Sequence, residues 1–134
     1  MGRNNESTSI DYKSLVLEYL YTNYDDEIIN YLRTITHMYN ITVEEGLDLF
    51  GCFESTSNDD MLLKLNIIVP KPYNIKSSSV FVHEYKHGIE LYPYIGKDIS
   101  GLLESNRDVF EESAKKEENT YINYLVKRLS NEKH

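Results

Sequence analysis

Apolar positions follow a helical period at both ends of the chain and a strand-like pattern in the middle. Leu15, Leu17, Leu20 and Tyr21 form a stripe at helical spacing that starts near Ile10, with Ser9 or Asp11 placed to cap it. Asp25 and Asp26 open a second helical segment, in which Ile28, Ile29, Tyr31, Leu32 and Ile35 predict a helix running to about Asn40. The middle changes character. ITV at 41–43 is β-branched, LFGCFES at 49–55 is aromatic-rich around Gly51, and MLLKLNIIV at 61–69 reads as a strand buried on at least one face. TSNDD at 56–60 is a turn cluster, so the last two segments predict a hairpin, while VEEGLDLF offers a short helix ahead of it. Pro70 and Pro72 end the strand region, because proline cannot donate to a ladder. Ser77 to Ser79 supply N-caps for a helix from Val80 to about Leu91, with Gly88, Pro93 and Gly96 marking its decline. Residues 104–130 carry the longest helical pattern. These elements predict one α+β domain over 9–134, with a small twisted sheet of about three strands, behind a flexible tail at 1–8.

Composition narrows the partners. The net charge of −8 and the scatter of the basic residues argue against nucleic acid and against anionic membrane surfaces. Cys52 is the only cysteine, which excludes an internal disulfide and fits a reducing compartment, with the thiol as a bystander. The chain opens without a charged-then-apolar leader, and Glu6 stands where a myristoylation signal needs Ser or Thr. No apolar run approaches membrane-spanning length. A cytoplasmic protein is the expectation.

The candidate chemistry lies in His83-Glu84-Tyr85-Lys86-His87, an HExxH pattern. On a helix, residues four apart differ by about 40° in azimuth and one turn in height, so both imidazoles reach one zinc ion at about 2.0–2.1 Å. Glu84, beside the first histidine, is placed to take a proton from water at the metal and pass it to a departing amine. The competing reading is an exposed helix face with two solvated histidines. Lys86 occupies a position usually uncharged in active zinc peptidases; its ammonium can snorkel to solvent from there.

Two histidines do not hold a catalytic zinc, and a third protein ligand is expected. Pro93 stands six residues after His87, where a metzincin-type site has its third histidine. His37 and His134 read better as ordinary core or surface residues. A carboxylate remains, from Glu90, Glu104, Asp108, Glu111, Glu112, Glu117 and Glu118. On a helix over 105–130, Phe110, Ala114, Tyr121, Tyr124 and Leu125 make one apolar stripe, and Glu117 falls in its middle. A carboxylate there is costly without a partner, which a metal would supply and which a lysine or tyrosine would also supply. Glu117 is therefore the expected third ligand, with Glu118 on the flank of the stripe as second choice. Glu111 lies farther out and Glu112 on the polar face. Glu104 ranks third, because Glu104 and Asp108 match an E-x-x-x-D pattern whose aspartate orients a ligand histidine.

The order NITV, GLDLFGCF, LLKLNIIV, VFVHEYKH and a glutamate-bearing helix resembles the small phage and mobile-element metallopeptidases of the ImmA/IrrE type, and equally the one-domain minigluzincins. The resemblance spans roughly 25–130, and only the HExxH is sharply specific. It implies a minimal zincin fold, with His83 and His87 as ligands of Zn2+, Glu84 as general base, and Glu117 with Thr120 in place of the family's Glu-x-x-Ala. It departs in Lys86, in the EENTYINYL helix, and in lacking the exit after the motif. It further implies cleavage of one protein or peptide substrate, a phage or mobile-element regulator, bound extended along a sheet edge, 61–69 or 49–55. Tyr85, Tyr92 and Tyr94 are candidates to stabilise an oxyanion. A zincin-fold binding module without catalysis is the alternative function, and metal-assisted hydrolysis of a non-peptide amide is a third. Nothing in the sequence sets the oligomeric state.

Overall fold

The computed structural model describes residues 10–40, 51–55 and 61–132. The expected tail and Ser9, the 41–43 and 43–50 segments, the turn at 56–60 and His134 lie outside the described residues. The class is mixed α+β and mostly helical, with four strands in two small sheets where about three strands in one were expected.

Helix α1 (Tyr12–Asn23) starts at Asp11, whose carboxylate accepts from the Ser14 amide, and α2 (Asp26–Thr34) starts at Asp25 in the same manner. The helix expected to run to Asn40 stops at Thr34, and Thr36–Tyr39 forms strand β1 instead. Two β-branched residues, Ile35 and Thr36, stand at that break. The Thr36 hydroxyl turns back onto the Leu32 carbonyl at 2.5 Å and lies 2.8 Å from the Tyr85 hydroxyl, which closes the helix end against the core.

β2 (Gly51–Ser55) and β3 (Met61–Leu65) pair antiparallel, with Phe53 opposite Leu63, as the hairpin pattern predicts. The run expected as one strand over 61–69 divides at Asn66 into β3 and β4 (Ile67–Pro70). Leu63, Leu65, Ile67 and Val69 keep one alternating buried face through the break. What changes is the partner: β3 pairs with β2, whereas β4 pairs parallel with β1 in the register Thr36 to Ile67. The far edge of β3 is closed by the 95–98 segment, through Leu63 N–H to the Lys97 carbonyl and Gly96 N–H to the Leu63 carbonyl.

Helix α3 (Ile75–Leu91) carries the motif and forms the centre of the molecule, against β4, α1 and α2 on one side and α5 (Arg107–Glu132) on the other. It begins five residues before the expected Val80. Asn74 is the cap, and Ser77 completes a reciprocal capping box from inside the first turn. Ser77, Ser78 and Ser79 are buried in the helix rather than preceding it, and the Ser78 and Ser79 hydroxyls bond carbonyls one turn back. After α3 come a 3-10 turn (Tyr92–Tyr94) and short α4 (Leu102–Ser105); Glu104 belongs to α4, which Asn106 separates from α5.

Gly88 does not end α3; it lets α3 approach α2 and β4. A Cβ there would stand 3.0 Å from both Leu32 Cδ2 and Ile67 Cδ1, and both side chains are fully buried. Branching at this position has no free space to enter. Gly88→Val is expected to destabilise the protein by about 1–3 kcal/mol in urea unfolding, the usual cost of overpacking. An unchanged unfolding midpoint would mean that the helix does not approach so closely.

Candidate metal centre

The motif helix brings both imidazoles to one carboxylate. His83 Nε2 stands 3.1 Å from Glu111 Oε2, and His87 Nε2 stands 3.2 Å from Glu111 Oε1. The two rings meet edge to face with centroids 5.0 Å apart. Glu118, two turns along α5 from Glu111, reaches His83 Nδ1 at 3.7 Å. Metal-ligand lengths of about 2.0–2.2 Å put neighbouring donors of a tetrahedral site about 3.4 Å apart. The two histidine-to-glutamate separations are close to that spacing, and the donor atoms of His83, His87 and Glu111 all lie within 4.8 Å of one another. Two imidazoles and a carboxylate therefore fit a divalent metal, and this is the one such group found among the described residues.

The expected third ligand, Glu117, is elsewhere. Its two oxygens accept from the Tyr19 hydroxyl at 2.5 Å and the Tyr24 hydroxyl at 2.6 Å. Lys86 Nζ lies 3.8 Å from Glu117, 4.0 Å from Glu90 and 3.2 Å from the Tyr24 oxygen, over whose ring it also sits. Lys86 thus turns inward rather than snorkelling to solvent. Glu117, set in the apolar stripe, has its partners in a lysine and two tyrosines. Of the remaining carboxylates, Glu90 accepts from Ser113 at 2.7 Å, Glu104 lies on the wall of a cleft, and Asp108 and Glu112 are exposed. Glu111 was missed because the stripe was drawn through Phe110. The positions 111, 114, 118, 121 and 125 keep a 3–4 spacing, with Ala114, Tyr121 and Leu125 fully buried; Glu111 and Glu118 continue that line.

Electrostatics separate the two histidines. Burial pushes the His83 pKa down, but the contact with Glu118 and the charges of Glu84, Glu111 and Glu118 outweigh it, and the net shift is upward. His87 is shifted downward by burial and by the charge of His83, against the pull of Glu111 and Glu90. Glu84 is 1% exposed and packs in the core of α3 beside His83.

A cleft of about 530 Å³ opens on one side of the centre. His87 and Glu111 line it together with apolar Phe53, Ile99, Leu103 and Phe110 and with polar Glu104 and Arg107. Tyr85, Tyr92 and Tyr94 do not line it. The Tyr85 hydroxyl is held at Thr36, where burial pushes its pKa up to about 12, and Tyr92 lies 3.5 Å from Glu27. His37 is on exposed β1, away from the centre. No helix among the described residues is long and apolar enough to cross a membrane.

No protein-family model matches the chain, and neither a curated protein nor a solved structure matches it significantly.

Two outcomes check this geometry. In metal-free protein, a proton-nitrogen NMR titration is expected to show His83 titrating above the ordinary imidazole value and His87 below it. By linkage, the His83 pairing stabilises the fold at low pH and is lost as pH rises through its raised value. The His87 term is present at high pH and lost as pH falls. Reversed order would contradict the placement of Glu111 and Glu118. Separately, Tyr19→Phe removes a hydrogen bond to a charged acceptor and should cost roughly 1.5–3 kcal/mol in chemical denaturation. A change below about 0.5 kcal/mol, the scale of an ordinary surface substitution, would show that Glu117 does not depend on that hydroxyl.

Proposed function

We propose that the protein is a zinc-dependent metallopeptidase of gluzincin-like type, with His83, His87 and Glu111 holding the metal and Glu84 acting as general base. The observation that carries this reading is the convergence of both motif Nε2 atoms on the two oxygens of one carboxylate from a different helix. Both histidines are buried, and the same three donors that pair directly here would suit a divalent ion between them. Bound zinc would supply Lewis acidity to a peptide carbonyl and lower the pKa of a nearby water. The residues of the chain do the rest. Glu84 takes the proton of the attacking water and delivers it to the leaving nitrogen, the role its place beside His83 allows. Its low exposure keeps competing bulk water from the carboxylate.

The cleft suggests the substrate. Its apolar lining suits a bulky side chain, and a peptide held there would lie beside His87 and Glu111, which line the same cleft. Of the two edges expected for an extended peptide, β3 is flanked on both sides, by β2 and by the 95–98 segment. β2 is exposed along its length and contributes Phe53 to the cleft, so it is the better template for backbone pairing. Following the ImmA/IrrE resemblance, the substrate is a phage or mobile-element regulator cut in the cytoplasm. One observation favours a non-catalytic binding module instead: Glu84 is buried and does not line the cleft, so a peptide there reaches it only after local movement.

Metal analysis of protein equilibrated with zinc is expected to give one ion per chain, lost in Glu111→Ala and retained in Glu117→Ala. Retention in Glu111→Ala with loss in Glu117→Ala would reverse the ligand assignment. For the chemistry, unfolded casein is a suitable general substrate. Glu84→Gln should cleave it 10²–10⁴-fold more slowly than the native chain, the usual range for a lost general base (about 3–5 kcal/mol). Zinc bound at full occupancy with no cleavage by either protein would favour the binding module.

A further inference from the structure

Helices α3 and α5 meet along an apolar seam with a polar contact on each flank. One flank is the metal centre. The other joins Lys86 and Glu90 of α3 to Glu117 and Ser113 of α5, with Tyr19 of α1 and Tyr24 of the α1–α2 corner closing on the same glutamate. We infer that Lys86 and Glu117 are positioning residues for the centre: their contact fixes the register of α5 on α3 and so delivers Glu111 to the histidines. This rests on the metal-site reading above.

Three observations carry it. First, little of the packing on α5 positions Glu111 directly. Its side chain is 54% exposed, and Asp108, Val109, Glu112 and Lys115 around it are exposed as well, which leaves buried Ala114 and half-buried Phe110 as the nearby seam residues. A slide of α5 by one residue would move the carboxylate about 1.5 Å along the axis and rotate it about 100°, enough to remove it from both imidazoles. Metal sites need their donors held within about 0.5 Å.

Secondly, the second flank lies where it can prevent that slide. Lys86 sits between the two histidines, so the segment it anchors is the one that bears them. Glu117 is six residues from Glu111, about 9 Å along the same helix, and about 120° away in azimuth. Contacts on two sides of the seam oppose rotation, which the apolar seam alone resists weakly. The Glu90 to Ser113 hydrogen bond adds a second tie one turn away on each helix.

Thirdly, stability alone is a poor reason for such a pair. The Lys86 and Glu117 side chains are only 17% and 13% exposed, so both charges are largely desolvated. Apolar residues of similar volume often stabilise as well or better, whereas register is the best-attested use of a buried ion pair. A motif position usually filled by an uncharged residue carries a lysine here, and Glu117 with its two tyrosines makes a site for that lysine.

The test is zinc affinity, measured by competition with a chromophoric chelator, for Lys86→Met/Glu117→Gln against the native chain. A folded double variant is expected to bind at least tenfold more weakly, and Lys86→Arg, which keeps the cation, to stay within threefold of native. A second readout needs no metal. With spin labels at Lys76 and Val109 in a Cys52→Ser background, the interlabel distance should be narrow in the native sequence and broadened in the double variant. Native affinity with a narrow distance in a folded double variant would overturn the inference. If the double variant does not fold, Glu117→Gln alone carries both measurements under the same expectations. No zinc bound by the native chain would sink the metal-site reading instead, and the label distances would still decide whether the pair sets register.

Discussion

The contact between α3 and α5 is the constraint on which the centre depends. α3 supplies the two imidazoles and α5 the carboxylate, and neither sheet supplies any of the three. α3 is fixed by burial on nearly all sides: a Cβ at Gly88 would stand only 3.0 Å from side chains of β4 and α2, and Phe81, Val82, Tyr85 and Leu91 fill the core. α5 is held differently. It is long and largely polar; Ala114, Tyr121 and Leu125 form its buried seam, and the polar contacts of Glu117 and Ser113 add to that hold. Ala114 is the small residue that allows close approach between Glu111 and Glu118, so the two acids come alongside His83 and His87 rather than being held off by a larger seam.

Two features that look like faults in isolation explain each other. A lysine inside an HExxH motif is out of place next to metal ligands, and a glutamate within an apolar stripe is expensive. Put together through Tyr24 and Tyr19, each removes the cost of the other. The network holds the cation on the flank of α3 away from Glu111 and leaves the histidine face to the acids. The hydroxyls of Tyr19 and Tyr24 respond, their pKa values raised by burial and by the Glu117 carboxylate, so both remain donors across the ordinary pH range.

What the sequence revealed was what local spacing decides. The pairing of 51–55 with 61–65, the motif helix and the side-by-side histidines follow from periods of two and 3.6 within a dozen residues. What it hid depends on contacts between distant segments. The stop of α2 at Thr34 and the parallel pairing of Thr36–Tyr39 with Ile67–Pro70 need a partner 31 residues away. The division of 61–69 at Asn66 is invisible because the buried face continues through it while the hydrogen-bond partner changes. Choosing between Glu111 and Glu117 required the azimuth of α5 on α3. A difference of about 120° around one helix separates a metal-ready acid from a lysine partner, and composition is silent on that angle.

The character of the donor set bears on what a metal would do for this chain. Structural zinc sites are closed by four protein ligands and contribute directly to folding, whereas catalytic sites keep three and leave one position open. Here three donors meet, and the third, Glu111, is the exposed one and lines a largely apolar cleft together with His87. α1, α2, β4 and α3 bury a continuous apolar cluster apart from the donors, and Lys86 with Glu117 joins α5 to it. Three donors beside a cleft, with the core built elsewhere, are the arrangement on which the proposed working centre rests, rather than a staple. That is why the proposed chemistry falls on Glu84, the remaining acid beside the donors, and why its seclusion from the cleft is the feature any mechanism for this chain has to accommodate.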